Sequence, residues 1–182
     1  MTVTPTPLPG VLLIEPRVHR DDRGYFVETY HEERYQAAGV SARFVQDNQS
    51  SSSKDTLRGL HAQLKRPQAK LVRCLAGSIW DVAADMRQGS PTFGKYFGVE
   101  LSAENFKQLY VPGGLLHGFC VLSERADVEY KCSDLYVADD QFGIRFDDPT
   151  FAIAWPVKSP VLSDKDKAAP YLQNKLSVLP KF

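Results

Sequence analysis

Apolar residues along this chain come in short runs of 5–8 positions, rich in Val, Ile, Phe, Tyr and Leu, and each run ends at Gly, Pro, Asp or Ser. That pattern predicts strands over Val11–Glu15, Gly24–Thr29, Ala42–Ser50, Thr56–Gln63, Lys70–Ala76, Ser78–Met86, Lys95–Leu101, Gln108–Val111, Gly118–Leu122 and Asp127–Ser133. Ten strands with turn-length gaps predict an antiparallel sandwich or barrel. Two segments break the rhythm. His31–Ala38 carries helix-favouring Glu32, Glu33, Gln36 and Ala37, and Gly39 supplies a stop. Ser163–Ala169 has Ser163 as an N-cap and Pro170 as its end. Neither is long enough to set the fold. No repeat or linker divides the sequence, so a single domain over 1–182 is expected. It would have a Pro-rich N-terminal arm (about 1–15) and a loop-like C-terminal extension (about 155–182).

Strand alternation assigns side chains to faces. In Asp127–Ser133 the set Val128, Tyr130 and Cys132 opposes Asp127, Glu129 and Lys131, so Tyr130 is expected to point inward. In Lys70–Ala76, Lys70, Val72 and Cys74 oppose Leu71, Arg73 and Leu75, and both faces are mixed. One of them is expected to line a cavity that is not uniformly dry. Asp81, Ala83 and Asp85 share a face opposite Trp80, Val82 and Ala84, which fits either a polar lumen or a solvated surface.

Charge narrows the class of partner. The 22 Lys and Arg balance 22 Asp and Glu, so no global positive field attracts nucleic acid or an anionic membrane. No apolar run reaches the ~18 residues of a membrane helix, and MTVTPTPLPG has neither the charged nor the apolar part of a secretory signal. A cytoplasmic protein is expected. Cys74, Cys120 and Cys132 are odd in number, well separated and set in apolar segments, as small buried side chains are; they lack zinc-finger spacing.

Four histidines carry the candidate chemistry. His19 lies near the N-terminus and His31 opens a helix, and both are expected on the solvated surface. His61 lies in Arg58-Gly59-Leu60-His61-Ala62-Gln63, where Gly59 removes a side chain and is expected to leave room for a ligand. His117 follows the turn Pro112-Gly113-Gly114-Leu115-Leu116. The spacing Pro112-x-Gly114-x-x-His117 resembles the second signature of the cupin family of small jelly-roll barrels. Its first signature carries two histidines one residue apart, with a glutamate downstream, as metal ligands. Here the second histidine is replaced by Gln63, so no metal is expected and His61 is free to act as a base.

A longer set of segments sharpens the resemblance. Phe44–Asn48, RGLHAQ (Arg58–Gln63), QAKLVRCLAGSIWDVAADMR (Gln68–Arg87), SPTFGKYFGVELSAEN (Ser90–Asn105), QLYVPGGLLHGFCVLSE (Gln108–Glu124), YKCSDLY (Tyr130–Tyr136) and LSDKDKAAP (Leu162–Pro170) resemble the dTDP-4-dehydrorhamnose 3,5-epimerases in order and spacing, over nearly the whole chain. The resemblance implies an all-β cupin-type jelly roll of antiparallel strands with a few short helices. It also implies an isomerase that inverts C3 and C5 of a nucleoside-diphosphate 4-keto-6-deoxy sugar, with no cofactor. Carbons beside a ketone lose a proton because the charge moves to the ketone oxygen, so the reaction needs a base, an enolate stabiliser and an acid on the other ring face. By position, His61 matches the base, with histidine's ordinary pKa of about 6.5 leaving a neutral fraction. Asp166 matches its carboxylate partner, Lys70 the group at the ketone oxygen and Tyr130 the acid. Arg23, Glu28, Gln46, Asp47, Asn48, Arg58, His117, Tyr136, Gln141 and Lys165 match the substrate-binding pocket. Family members are homodimers joined through N-terminal strands, so a homodimer is expected, with some pocket residues supplied by the partner chain.

The chain departs from the family pattern at Gly113, with Leu115 and Leu116 filling the turn, and at Ala62 in RGLHAQ. It departs again at Leu135-Tyr136, where an aromatic pair is reduced, and at Gln141, which replaces a glutamate. These changes leave the four catalytic matches intact and bear on the sugar, the nucleotide and the number of inverted centres. Two rival readings are a metal-dependent cupin oxygenase or isomerase, supported only by His61 and His117, and a non-catalytic sugar-binding module.

Overall fold

The computed structural model describes residues 1–182. Its strands are β1 (Thr2–Pro5), β2 (Leu12–Glu15), β3 (Val18–Asp21), β4 (Gly24–Val27), β5 (Gln46–Ser53), β6 (Leu57–Gln63), β7 (Lys70–Ala76), β8 (Ser78–Ala84), β9 (Tyr96–Ser102), β10 (Gln108–Val111), β11 (Leu116–Val121), β12 (Arg125–Cys132) and β13 (Gln141–Gly143). A six-stranded sheet runs β1-β2-β10-β7-β12-β5 and a five-stranded sheet runs β13-β6-β11-β8-β9, with β3-β4 as a separate ribbon. All strand pairings are antiparallel, and the two sheets form a cupin-type jelly roll.

Each sheet is apolar on both sides, so there are three cores rather than one. Val72 and Cys74 of β7, Val128 of β12, Ala83 of β8 and Phe119 of β11 fill the lumen. Helix α1 (Glu32–Ala37) lies outside the six-stranded sheet, where buried Tyr35 joins Ile14, Leu71 and Tyr110. The segment from Phe142 to Leu179 covers the outer face of the five-stranded sheet, burying Phe151, Leu172 and Leu179 against Leu60, Val82 and Leu116. Residues beyond Trp155 thus pack against the barrel. They contain helix α2 (Asp164–Lys167) and a 3₁₀ stretch over Leu172–Val178.

Several expectations need correction. The Pro-rich arm is not a tail: Thr2–Pro5 pairs with Leu12–Glu15 and forms the sheet's edge strand. Strand β5 starts later and ends later than expected, because Ala42 and Phe44 pack outside the sheet while Ser50–Ser53 pair with β12 along its whole length. Serine's weak strand preference is overridden by that partner. His31 is half-buried, with its Nδ1 enclosed and unpartnered, so it is only partly solvated; His19 is exposed. Gly59 serves strand contact rather than a ligand. Its φ of +133° and a Cβ that would fall 2.6 Å from Gly118 Cα show β6 and β11 in close approach, beside a register shift between His117 and Phe119. Of the two acids on one face of the β8 region, Asp81 faces the lumen and Asp85 lies just past the strand; both are fully buried.

Candidate active site

Register brings the chemistry together. His117 on β11 sits opposite His61 on β6, and Tyr130 on β12 sits opposite Val72 on β7, two residues beyond Lys70. β6 and β12 belong to different sheets, so His61 and Tyr130 approach the lumen from opposite walls. There they line a two-lobed cavity of about 350 and 320 Å³, and both lobes share His61, Lys70 and Tyr130. One lobe continues along Arg58, His117, Phe119, Ser163 and Lys165. The other is walled by Gln46, Asn48, Gln63, Gln68, Tyr136 and Gln141.

The C-terminal segment supplies the carboxylate. Val161 is tied to the start of β6 by the bonds Leu57 N–H to Val161 O (3.0 Å) and Val161 N–H to Asp55 O (2.9 Å). Ser163 then caps α2, its Oγ accepting from Asp166 N–H at 3.1 Å. This places Asp166 Oδ1 2.6 Å from His61 Nε2. His61 keeps 26% of its side chain exposed and Asp166 only 6%, so the imidazole, not the carboxylate, is open to a ligand. Burial alone pushes the Asp166 carboxyl up, but the His61 hydrogen bond and charge, together with Ser163 and Lys165, bring it below the ordinary aspartate value. An ionised carboxylate only accepts, so Nε2 donates to Asp166 and Nδ1 carries the free lone pair.

Lys70 has no hydrogen-bonded partner in the protein and lies with its Nζ 5.7 Å from the centre of the Tyr130 ring. Burial pushes its ammonium below the ordinary lysine range, against an upward pull from Cys132 and Asp81. Burial also raises the Tyr130 phenol, so it is protonated at neutral pH. On the far wall, His117 Nε2 lies 2.8 Å from Asp81 Oδ1, and both residues are buried. Arg58 Nε donates to Ser52 Oγ at 3.0 Å. Tyr136 Oη donates to Gln141 Oε1 at 2.9 Å, and Lys165 Nζ donates to the same oxygen.

The donor set does not suit a divalent metal. No three His, Cys, Asp or Glu side chains converge anywhere in the chain. Gln63, at the position of a second cupin histidine, spends its amide on backbone: Oε1 accepts from Val137 N–H at 2.7 Å, and Nε2 donates to Arg66 O and Leu135 O.

Of the residues matched from sequence, His61, Lys70, Tyr130, Asp166, Gln46, Asn48, Arg58, His117, Tyr136, Gln141 and Lys165 meet around this cavity. Three do not within one chain. Arg23 is 89% exposed at the tip of the β3-β4 ribbon and pairs with Asp21. Glu28 pairs with Arg34, and Asp47 points to the other face of β5 and pairs with Lys131 at 3.0 Å. The sequence assigns Asp81 no function and Ser163 only the role of a cap. The Ser163-x-x-Asp166 spacing of a capping box was the available signal for the second.

The matches with known proteins agree with this geometry. The family model for dTDP-4-dehydrorhamnose 3,5-epimerase matches residues 5–174. The chain belongs to the dTDP-4-dehydrorhamnose 3,5-epimerase family. This makes it an isomerase-class enzyme. It is 50% identical over 168 residues to the dTDP-4-dehydrorhamnose 3,5-epimerase of Shigella flexneri, covering 91% of this chain and 93% of that one. The crystal structure of the Legionella pneumophila epimerase in complex with dTDP-4-keto-L-rhamnose superposes with a TM-score of 0.94 at 46% identity, covering 100% and 98% of the two chains. A 3′-monoepimerase from Streptomyces bikiniensis, in complex with dTDP-quinovose, is more distant at 34% identity, with a TM-score of 0.91 over 97% and 92%. Proteins similar to this chain thus include ones that differ in the number of centres they invert.

Proposed function

We propose that this protein is a cofactor-independent epimerase that converts dTDP-4-dehydro-6-deoxy-D-glucose to dTDP-4-dehydro-L-rhamnose by inverting C3 and C5. The observation that carries this reading is the His61–Asp166 pair facing Lys70 and Tyr130 in one cavity. His61 Nδ1 removes the proton from carbon beside the ketone, and Asp166 holds Nε2–H and stabilises the imidazolium that results. Lys70, which lies over the Tyr130 ring with no ion pair in the chain, lowers the energy of the enolate oxygen by donating to it. Tyr130, on the opposite wall, delivers a proton to the other ring face, which inverts the centre. Arg58 and Lys165 supply cations for the diphosphate, and the amides of Gln46, Asn48 and Gln141 hydrogen-bond the rest of the ligand.

Inversion at both centres is favoured over one because relatives at 43–50% identity are 3,5-epimerases, a group that extends down to 36%, whereas the monoepimerase stands at 34%. The deciding experiment incubates enzyme with the keto sugar in D₂O. Two deuterons per product sugar are expected; one would reassign the protein as a single-centre enzyme, and none would remove the reading.

The protein acts as a homodimer in this proposal. The β3-β4 ribbon leaves Tyr25 59% and Phe26 70% exposed, and Arg23 and Glu28 lie outside their own chain's cavity. In this proposal the ribbon reaches the partner's cavity. No helix is long and apolar enough to cross a membrane. Three cysteines stay free and buried, which suits the reducing cytoplasm.

A further inference from the structure

We infer that Ser163 is a positioning residue of the reaction, fixing through Asp166 the orientation and basicity of His61. This rests on the function proposed above. Helix α2 has four residues, and its cap does more than close it. Ser163 Oγ accepts the Asp166 backbone N–H at 3.1 Å and stands 2.8 Å from Asp166 Oδ2. The amide can only donate, and a serine hydroxyl has a single proton, so that proton is committed to the carboxylate. The chain of bonds therefore has one direction: Asp166 N–H to Ser163 Oγ, Ser163 Oγ–H to Asp166 Oδ2, and His61 Nε2–H to Asp166 Oδ1. One carboxylate oxygen is held by the residue's own helix cap, leaving the other for the imidazole. Without the hydroxyl, the carboxylate rotates about its side-chain torsion and its second oxygen loses a donor.

The electrostatic consequence has a definite sign. A hydrogen bond from Ser163 stabilises the carboxylate and so weakens its hold on an adjoining imidazolium. Removing it makes Asp166 the more basic partner, and the protonated dyad persists to higher pH. The other groups around the dyad are Lys165 on α2, Lys70 on β7, Arg58 on β6, His117 on β11 and Tyr130 on β12, and substitution at 163 leaves them in place. Ser163 is solvent-exposed, so water replaces part of what is lost and the expected effect is modest.

Three variants separate orientation from helix capping. Ser163→Ala removes both bonds, and kcat is expected to fall about 10-fold with KM little changed. The acid limb of the kcat/KM profile should move to higher pH. Ser163→Thr keeps both bonds and should restore the wild-type rate and profile. Ser163→Asp is a good helix cap but offers the carboxylate a negative charge instead of a proton. It should be at least as impaired as Ser163→Ala, with the acid limb displaced the same way. Wild-type kcat and pH profile in Ser163→Ala would overturn the inference, as would full activity in Ser163→Asp or a loss in Ser163→Thr equal to that in Ser163→Ala. His61→Ala run alongside distinguishes the two levels: an active His61→Ala defeats the proposed mechanism, whereas an inactive His61→Ala with a normal Ser163→Ala defeats only the role of Ser163.

Discussion

His61 Nε2 and Asp166 Oδ1 lie 2.6 Å apart although 105 residues separate them in the chain. One comes from a barrel strand and the other from a one-turn helix beyond the last strand. The contact fixes which nitrogen of His61 is free, so the carboxylate cannot be exchanged for an amide without cost. Asp166→Asn keeps the shape but offers Nε2 an ambiguous partner and no charge for the imidazolium. We expect kcat to fall by about 10²–10⁴, with His61→Ala at least as low, since this is the usual range for a positioned acid or base. Steady-state kinetics on the keto sugar, with circular dichroism to verify folding, checks both. Activity within about threefold of wild type in Asp166→Asn would contradict the role of the pair.

Tyr130 stands on the wall opposite His61, so removing its hydroxyl should separate two steps that normally follow each other. Tyr130→Phe retains the base and the lysine, and proton removal from carbon continues. The enolate then regains its proton from the His61 side, which restores the starting configuration. In D₂O, mass spectrometry should find deuterium in recovered substrate while product falls by about 10²-fold or more. Unchanged epimerisation would assign the acid elsewhere.

Much of this was legible in the chain. Strand alternation placed Tyr130 inward and Lys70 with Val72 and Cys74, and the structure puts those side chains in the lumen or on its cavity. Lys70–Ala76 and Gln108–Val111 are strands with the predicted limits, because they are flanked by strong turn residues. Periodicity could not locate β13, whose three residues are too few to show a period, and it set the limits of β5 too early, because Ser51–Ser53 become strand only through pairing with β12. Gly59 was misread for a related reason: a glycine opposite another glycine signals close strand contact, and that requires knowing that β6 lies beside β11. The Asp166 contact joins distant segments. Resemblance suggested it; spacing along the chain did not.

Away from the cavity, Asp85 provides a pH-dependent element of stability. It is fully buried and binds Arg87 at 2.8 Å, with further bonds from Ser90 Oγ and Thr92 Oγ1 at 2.6 and 2.7 Å. Burial pushes its carboxyl up, but Arg87, Ser90 and Thr92 outweigh it and hold the group at about 2, below the ordinary 3.8. A carboxyl lowered on folding stabilises the native state above the unfolded value and loses that contribution as the pH falls through the folded one. The contribution is about 2 kcal/mol at neutral pH and drains between about pH 5 and pH 2. Asp85→Asn should therefore lower Tm by roughly 4–8 °C at pH 7. Thermal melts at pH 7, 5 and 3 should show the gap to wild type narrowing at pH 3; a gap independent of pH would refute the assignment.

The ribbon that carries Arg23 raises a question of which chain's reaction it serves. In its own chain Arg23 meets only Asp21, and no residue of the His61 cavity. If the ribbon completes the partner's site in the proposed homodimer, Arg23→Ala raises KM by removing a cation from the neighbouring cavity. Arg23→Ala and His61→Ala chains then complement each other. Unfolding and refolding them together makes half of the dimers hybrid. In each hybrid, one cavity has an intact His61 and receives an intact ribbon from the His61→Ala chain. Under substrate concentrations too low to saturate Arg23→Ala, activity should recover to about a quarter of wild type. The opposite arrangement, in which Arg23 serves its own chain, gives every cavity at least one defect, and the mixture would then be no more active than its two components measured separately.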